Sequence, residues 1–551
     1  MSHPSWRRQR LLLWLPILLA LPLIIFFLLP VDRIVATGMV EDDAFYYLKV
    51  ASHVAAGHGS TFDGIDRTNG YHPLWLTLLV PIYFLLGARL DLAFRIACLL
   101  GVTLFLAADW VALGLLRRIF HELAPTALGV VFFAFLTFFS SSQAMETAPV
   151  LFLTNLILLM LASRDSLGID ADARSEWGLG ALLSLVFLAR LDMVFLGVAV
   201  GIALVARWLR ERWSVKRFFT KTTRLFLPCL LLPAPYLAWN WMCFGHLVPI
   251  SGTLKSSFPQ VGPHLYVLKS IGPHVIFSLG VGAVVLIAQG CRAVGVGNAH
   301  SGSTRERAFS ALAILALSVF LQLTYAVLFE KWGFAHWQVA PSFILGAVGV
   351  GWIQERFAWT FLPRISAERL RSFSGFFIVL ATAVALGWGS WKRLGAYDPN
   401  SFYLGEWRAA RWAKERLPND AVLAAKSDAG LFSYFSGLKV LNINDGLVND
   451  FDYQAAVSRK LLGRHLISKG VRWILLSVDP DNVYQGKLRF RARAYLYDSE
   501  SEDVEVNLQE AIYRSDSFSV GWGSGRMFLA IVPFVSRGGP DTAESGLPLK
   551  N

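Results

Sequence analysis

The sequence reads as a polytopic α-helical membrane protein that ends in a small α/β domain, and its composition and the spacing of its apolar runs both say so. Its 551 residues are 55% hydrophobic and 16% charged, where soluble domains carry about 25% charge. With a mean hydropathy of +0.48, 40 Phe and 19 Trp, too little polar surface remains for the roughly three or four soluble domains that length alone suggests. Disorder, coiled coil and a secreted disulfide scaffold are excluded. The formal net charge is +12, but the basic residues gather in short clusters beside apolar runs, as cytoplasmic loops do under the positive-inside rule. The implied partner is the lipid bilayer, not nucleic acid. Cys98, Cys229, Cys243 and Cys291 lie in or beside apolar stretches without paired spacing, so they read as packing residues, neither a disulfide nor a metal framework.

The first apolar run, 11–30, follows Arg7, Arg8 and Arg10 and has about the 20 residues a helix needs to cross the hydrocarbon. No small-residue cleavage site ends it, which makes it a span with a cytoplasmic N-terminus. Residues 31–72 are then the first exoplasmic loop. The basic cluster Arg207, Arg210, Arg212, Lys216, Arg217, Lys221 and Arg224 marks a cytoplasmic segment and fixes the later orientation. From it, runs near 224–241, 275–290, 308–329, 335–354 and 374–391 alternate outward and inward. Backward from it, 177–207 makes two short spans with a tip at Arg190, Leu191 and Asp192, preceded by 144–163, 125–141 and 92–116. The run 73–86 is short for a span and reads as a re-entrant or interfacial helix. The expected count is about eleven spans. The expected division is a membrane domain over 1–391 and an extracytoplasmic α/β domain over 392–551. In the latter, an amphipathic helix at EWRAARWAKERLP precedes the short apolar runs AVLAA, KVLNI, RWILLSV and MFLAIVPF, the alternation of a small α/β unit. Residues 481–525 and the tail after Ser536 read as loops, and no internal repeat is visible.

The first loop opens with three consecutive acids, Glu41, Asp42 and Asp43, followed by aromatic and apolar residues. Adjacent carboxylates raise one another's pKa, and the apolar residues behind them would partly remove them from water. A solvated turn or helix N-terminus is the plainer reading; placement beside a membrane favours chemistry. Farther on, Asn69, His72 and Trp75 could supply hydrogen bonds and a stacking face, with a turn at Asn69-Gly70 and an interfacial Trp belt as the plainer alternatives. Ionisable residues at the rim of membrane segments default to functional candidates. These are Glu146 at the start of an inward helix, Arg190 and Asp192 at the hairpin tip, Lys255 in an exoplasmic loop, and His336 with Gln338 before another inward helix. The topology puts all of them on the face that carries the acids. A cation for a lipid phosphate, a carboxylate base and polar groups for a sugar together suit transfer from a lipid-anchored phosphosugar, with Arg or Lys stabilising the leaving phosphate and Asp taking the acceptor's proton.

EDDAFYYLKVA with GHGSTFDG and TNGYHPLW, then QAMETAPV, LARLDMVFL, FGHLVPISGTLK and SDAGLFSYFSGLKVLNINDGLVN, resemble bacterial GT-C glycosyltransferases, most of all the arabinofuranosyl- and mannosyltransferase-like members, over about residues 5–480. The resemblance implies a polyprenyl-phosphate-sugar donor, inverting transfer to an extracytoplasmic glycan, lipid or protein, and a location in the bacterial cytoplasmic membrane. It also implies that an acid of the first loop is the base. Three acids in a row leave the register open between Asp42 and Asp43; Asp42 is preferred, with Asp43 as its partner. No His stands at metal-binding spacing to these acids, so the expectation is transfer without a metal or other cofactor. A transporter or flippase of lipid-linked sugars is the rival, but it would set its polar residues at the bilayer midplane and show repeats. A carbohydrate-binding or partner-docking C-terminal module on a membrane anchor is a third reading, for which so many helices are excessive.

Overall fold

The computed structural model describes residues 12–120, 122–139, 143–168, 171–293, 303–361, 397–519 and 525–534. These form two compact units, one of residues 1–60 and 69–399 and one of 61–68 and 400–551. A short excursion of the first loop belongs to the second unit.

The first unit is helical. Its elements are α1 (Leu15–Phe27), α2 (Val31–Ala36), α3 (Asp42–Ala55), α4 (Pro73–Leu86), α5 (Leu90–Ile119), α6 (Leu123–Phe139), α7 (Thr147–Ser163) and α8 (Ala173–Ala189). A 3₁₀ turn, Leu191–Met193, leads to α9 (Val194–Glu211), α10 (Val215–Leu231), α11 (Ala234–Phe244), α12 (Ile250–Lys255), α13 (Tyr266–Ser270), α14 (Pro273–Ala293) and α15 (Thr304–Phe329). A second 3₁₀ turn, His336–Ser342, precedes α16 (Phe343–Phe361). Helix α5 packs on α7, α7 on α15, α15 on α14, α14 on α16 and α16 on α6. Small residues allow close helix approaches: a side chain at Gly129 would meet the Ala347 carbonyl at 3.0 Å where α6 packs on α16, and one at Gly180 the Leu225 carbonyl at 2.2 Å where α8 packs on α10.

Four described helices are long and apolar enough to cross a membrane, within 90–119, 191–211, 273–292 and 304–329; α10 with α11, bent by 41°, makes a fifth. Helices α1, α4, α6 and α7 are apolar but shorter. Length therefore reaches five where the hydropathy reading expects about eleven, because many apolar runs fold as helices of fewer than 18 residues. The run 374–391 lies outside the described residues. The basic cluster at 207–224 is not simply a solvated loop. Lys221 is buried in an ion pair with Glu176, and the part-exposed Arg224 takes the second oxygen of that carboxylate at 3.4 Å.

The second unit is α/β. The strands read from AVLAA, KVLNI, RWILLSV and MFLAIVPF are β1 (Val422–Ala425), β2 (Lys439–Asn442), β3 (Trp473–Val478) and β4 (Arg526–Pro533). They run in the order β2-β1-β3-β4: β1 is parallel to both β2 and β3, and β4 is antiparallel to β3 with Ile531 opposite Leu475. The inner strands are continuous apolar runs because both faces are covered. The helix expected at EWRAARWAKERLP spans Phe402–Arg416 and turns Ala409, Ala410 and Ala413 inward. While 520–524 and the tail after Ser536 lie outside the described residues, residues 481–519 of the stretch expected to be loops carry short antiparallel pairs such as Lys487–Phe490 against Val504–Asn507. Their charged outer faces hid the alternation: Lys487 and Arg489 both pair with Glu505 across the strands. The excursion 61–68 is held here by an ion pair from Lys469 to Asp66. Within it, Asp63 accepts hydrogen bonds from the Ile65 and Asp66 backbone N–H groups at 2.7 and 2.8 Å.

Candidate functional site

Glu41 is the N-cap of α3, and Asp42 and Asp43 fill its first turn. Carboxylates are favoured there by the exposed N–H groups and the helix dipole, so the plainer reading of the acids holds as far as it goes. Successive helical side chains diverge by about 100°, so the three acids leave the helix in different directions. Asp42 is buried. Asp43 is half-buried and shares its surroundings with Lys255 and Glu146. Burial pushes the Asp43 carboxyl above its ordinary value; the Lys255 charge pulls it back and the Glu146 charge pushes it up. Asp43, the partner acid in the sequence reading, stands among the other candidates.

Glu146 is the N-cap residue of α7 and is 3% exposed. Tyr47, one helical turn along α3 from Asp43, donates its hydroxyl hydrogen to Glu146 and accepts the His72 backbone N–H at 3.3 Å. Burial holds that phenol far above its ordinary pKa, and the Glu146 charge adds to the effect. The second Glu146 oxygen, Oε2, and the His72 Nδ1 atom are buried and have no hydrogen-bond partner among the described residues. Burial, aided by Arg190 and Lys255 and opposed by Asp192, pushes the His72 imidazole down to about 3, so it is neutral at physiological pH.

Arg190 caps the C-terminus of α8 and is 5% exposed. Its Nε lies 3.1 Å from Asp192 and its Nη1 donates to the Trp337 carbonyl at 3.4 Å. Burial opposes its charge, but Asp192, Glu146 and Glu330 together hold it above its ordinary value. Asp192 in turn accepts a 2.7 Å hydrogen bond from Gln322, whose amide nitrogen also donates to the Gln338 carbonyl at 2.9 Å. The Gln338 side chain donates to Glu330 at 3.3 Å.

Lys255 closes α12, with its Nζ 5.6 Å from the centre of the Trp332 ring. Gly333 is needed beside it: its φ is +79°, and a Cβ there would stand 2.8 Å from the Lys255 Cε atom. The cluster therefore gathers Asp43, Tyr47, His72, Glu146, Arg190, Asp192, Lys255, Glu330 and Gln338. They come from the start of α3, α4 and α7, the ends of α8, α12 and α15, and the turn before α16. Helix starts and helix ends meet at one end of the bundle.

The other candidates serve differently. Asn69 is fully buried; its amide donates to Asn240 at 3.2 Å and its carbonyl accepts the Ile250 N–H at 3.0 Å, which ties the first loop to the start of α12 and so to Lys255. Trp75 is fully buried and donates to the Ala144 carbonyl at 3.0 Å. It offers no stacking face and instead seats the segment that carries Glu146. The His336 ring packs edge-on against His274 at 5.9 Å. Tyr47, Gln322 and Glu330 escaped the sequence reading. Glu330 carried a usable signal, since it is an acid at the rim of a span; Tyr47 and Gln322 carried none. Among the described residues, no three His, Cys, Asp or Glu side chains gather closely enough to hold a metal ion.

With this arrangement in place, the chain can be compared with known proteins. ArnT from Cupriavidus metallidurans, in the crystal structure bound to undecaprenyl phosphate, superposes with a TM-score of 0.50 at 12% identity, over 94% of this chain and 97% of that one. ArnT in its apo state gives 0.50 at 13%, over 91% and 96%. The chain has the GT-C fold. The archaeal oligosaccharyltransferase AglB from Archaeoglobus fulgidus, in complex with an inhibitory peptide and a dolichol-phosphate, aligns at 0.44 with 12% identity over 84% of this chain and 70% of its own. A domain of unknown function, DUF8728, matches residues 400–518. None of the curated proteins matches the chain in sequence.

Proposed function

We propose that the protein is a glycosyltransferase of the bacterial cytoplasmic membrane that moves a sugar from a polyprenyl monophosphate to an acceptor outside the cytoplasm. The convergence of Asp43, Lys255 and Arg190 in a chain of GT-C fold is the observation that carries the reading. In the proposed step the acceptor hydroxyl oxygen bonds to the anomeric carbon as the bond from that carbon to the phosphate oxygen breaks, with inversion. Asp43 takes the hydroxyl proton. Burial raises its pKa and so makes it a better base than an exposed carboxylate. The leaving phosphate gains one negative charge, which Lys255 and Arg190 neutralise in place of a metal ion. Glu146, held by Tyr47, and the neutral His72 supply hydrogen bonds for sugar hydroxyls.

The deciding experiment uses purified protein in nanodiscs and a panel of labelled polyprenyl-phosphate sugars. Transfer that resists chelator and drops at least a hundredfold in Lys255→Met or Arg190→Met is the expected outcome. Transfer lost in chelator and restored by a divalent ion would overturn the role given to the two cations. Absence of transfer from every donor of the panel would overturn the enzymatic reading.

A further inference from the structure

Helices α9 and α10 form an antiparallel hairpin whose arms are bridged by aromatic rings. Trp208 and Phe218 stack at 4.3 Å and 21°, and the edge of the Phe226 ring lies against Gly201. The tip is locked. Trp208 donates to the Trp213 carbonyl at 3.0 Å, Trp213 donates to Glu211 at 2.8 Å, and the Ser214 side chain caps α10 by accepting the Arg217 N–H at 3.3 Å. Arg212 closes the turn in the left-handed region, at φ +53°, where glycine costs less. The acids around the tip are engaged. Asp165 pairs with Arg207, and Glu176 holds Lys221 and Arg224. Glu211, besides its bond from Trp213, lies 3.7 Å from Arg207 and 3.6 Å from Arg210. Among the described residues no carboxylate pairs with Arg212 or Lys216, and both are exposed. In the same turns Leu209, Val215 and Phe219 are 64%, 59% and 62% exposed.

We propose that this tip binds an anionic phospholipid, with the headgroup phosphate on Arg212 and Lys216 and the acyl chains along Leu209, Val215 and Phe219. The depth is right for it. Helix α9 with the 3₁₀ turn before it, and α10 with α11, are each long and apolar enough to cross a membrane, so the tip that joins them stands at the level of the headgroups. The chemistry is right as well. Two cations that no carboxylate of the fold neutralises attract a phosphate, and exposed apolar side chains in the same turns are stable only against hydrocarbon. One ligand that is anionic at one end and apolar at the other satisfies both. A zwitterionic lipid carries its own cation beside the phosphate and gains less from Arg212 and Lys216, while a soluble anion leaves the apolar side chains in water. The Trp213 and Trp208 contacts hold the two cations in a fixed turn, which spares the lipid the cost of ordering a loop. The left-handed backbone at Arg212 is explained in the same way, because glycine relieves the strain there but offers the phosphate nothing. The site is separate from the transfer cluster, and the inference stands whether or not the proposed reaction does.

The test titrates the full chain in detergent with phosphatidylglycerol or with phosphatidylcholine of the same acyl chains and reads bound lipid by native mass spectrometry. Wild type should bind phosphatidylglycerol at least about tenfold tighter than phosphatidylcholine, and the preference should shrink as salt is added. Arg212→Gly with Lys216→Gln should weaken phosphatidylglycerol by about thirtyfold, as expected for two cations near a membrane surface. Lys414→Gln with Lys439→Gln, which removes two exposed cations of the second unit, should leave it unchanged. Equal binding of the two lipids would overturn the proposal and leave the tip to a soluble acidic partner. Equal losses in the two double variants would overturn it too, since net charge alone would then explain the preference. Glycerophosphoglycerol, the same headgroup without chains, should not compete; competition at similar affinity would replace the lipid by a free phosphate ligand. If the double variant loses its cooperative melting transition, Arg212→Gly alone decides. It relieves the left-handed strain and should melt no lower than wild type, yet bind phosphatidylglycerol about fivefold more weakly; unchanged binding would overturn the role given to Arg212.

Discussion

Replacing Asp43 by Asn tests the base most directly, because it removes the proton acceptor and almost nothing else. A positioned general base is worth about 10²–10⁴ in rate, which is roughly 3–5 kcal/mol of barrier. The raised pKa of Asp43 puts the expectation toward the upper end, since a stronger base shares more of the proton in the transition state. The fold should tolerate the change: Asn is well accepted at a helix N-terminus, and the lost charge–dipole interaction is worth about 0.3–1 kcal/mol. Donor binding should change less than about tenfold, because Lys255 keeps Glu330 and Arg190 keeps Asp192 as neighbours. Transfer under saturating donor, followed with labelled polyprenyl-phosphate sugar, reads the effect as a fall in kcat. The base works only when ionised, so the wild-type rate should fall as pH drops through the raised pKa of Asp43. Asp42→Asn, at a buried position on a different side of α3, should keep that acidic limb. An Asp43→Asn protein with normal donor binding and more than a third of wild-type turnover would refute the assignment, the more so if Asp42→Asn were inactive.

Gly333→Ala should cost about 1–3 kcal/mol of stability through its positive φ and weaken lipid-phosphate binding by displacing the Lys255 stem; thermal unfolding and a binding titration check the two effects separately. Lys221→Met should lower stability by about 1–3 kcal/mol, because the buried Glu176 carboxylate then keeps only the longer contact to the part-exposed Arg224, and adding Glu176→Leu should restore most of the loss; melting of both variants in nanodiscs decides this. Asp63 is raised to about 6, chiefly by burial and despite hydrogen bonds from Asp66 and Ile65. Its folded pKa lies above its unfolded value, so its ionisation costs stability, and that cost grows as pH rises from about 4 to 6. Asp63→Asn, which keeps the accepting oxygen, should therefore stabilise the full chain by about 1–3 kcal/mol at pH 7.5 and lose that advantage near pH 4, as read from melting temperature against pH.

The sequence by itself determined the class of molecule and the positions of most helices and sheet-core strands. Apolar runs long enough to bury, and short β-branched runs between polar segments, permit few other local structures once the backbone must satisfy its own hydrogen bonds. It also located Glu146, Arg190, Lys255 and Gln338, because a charged or amide group at the rim of an apolar helix is costly unless it has a use. Only the tertiary structure decided what these residues face. That Asp43 shares its surroundings with Lys255 and Glu146 is a matter of helix rotation that three consecutive acids cannot encode. Asn69 and Trp75 carry the polar and aromatic groups a sugar would need, yet protein partners from segments between 69 and 181 residues away occupy their hydrogen-bonding atoms. The hairpins within 481–525 were hidden because cross-strand ion pairs, not an apolar face, hold their outer sides. Glu330 and Tyr47 joined the cluster by the same logic. A charge or hydroxyl acquires its chemistry from groups brought to it across the fold, and sequence separation carries no record of that meeting.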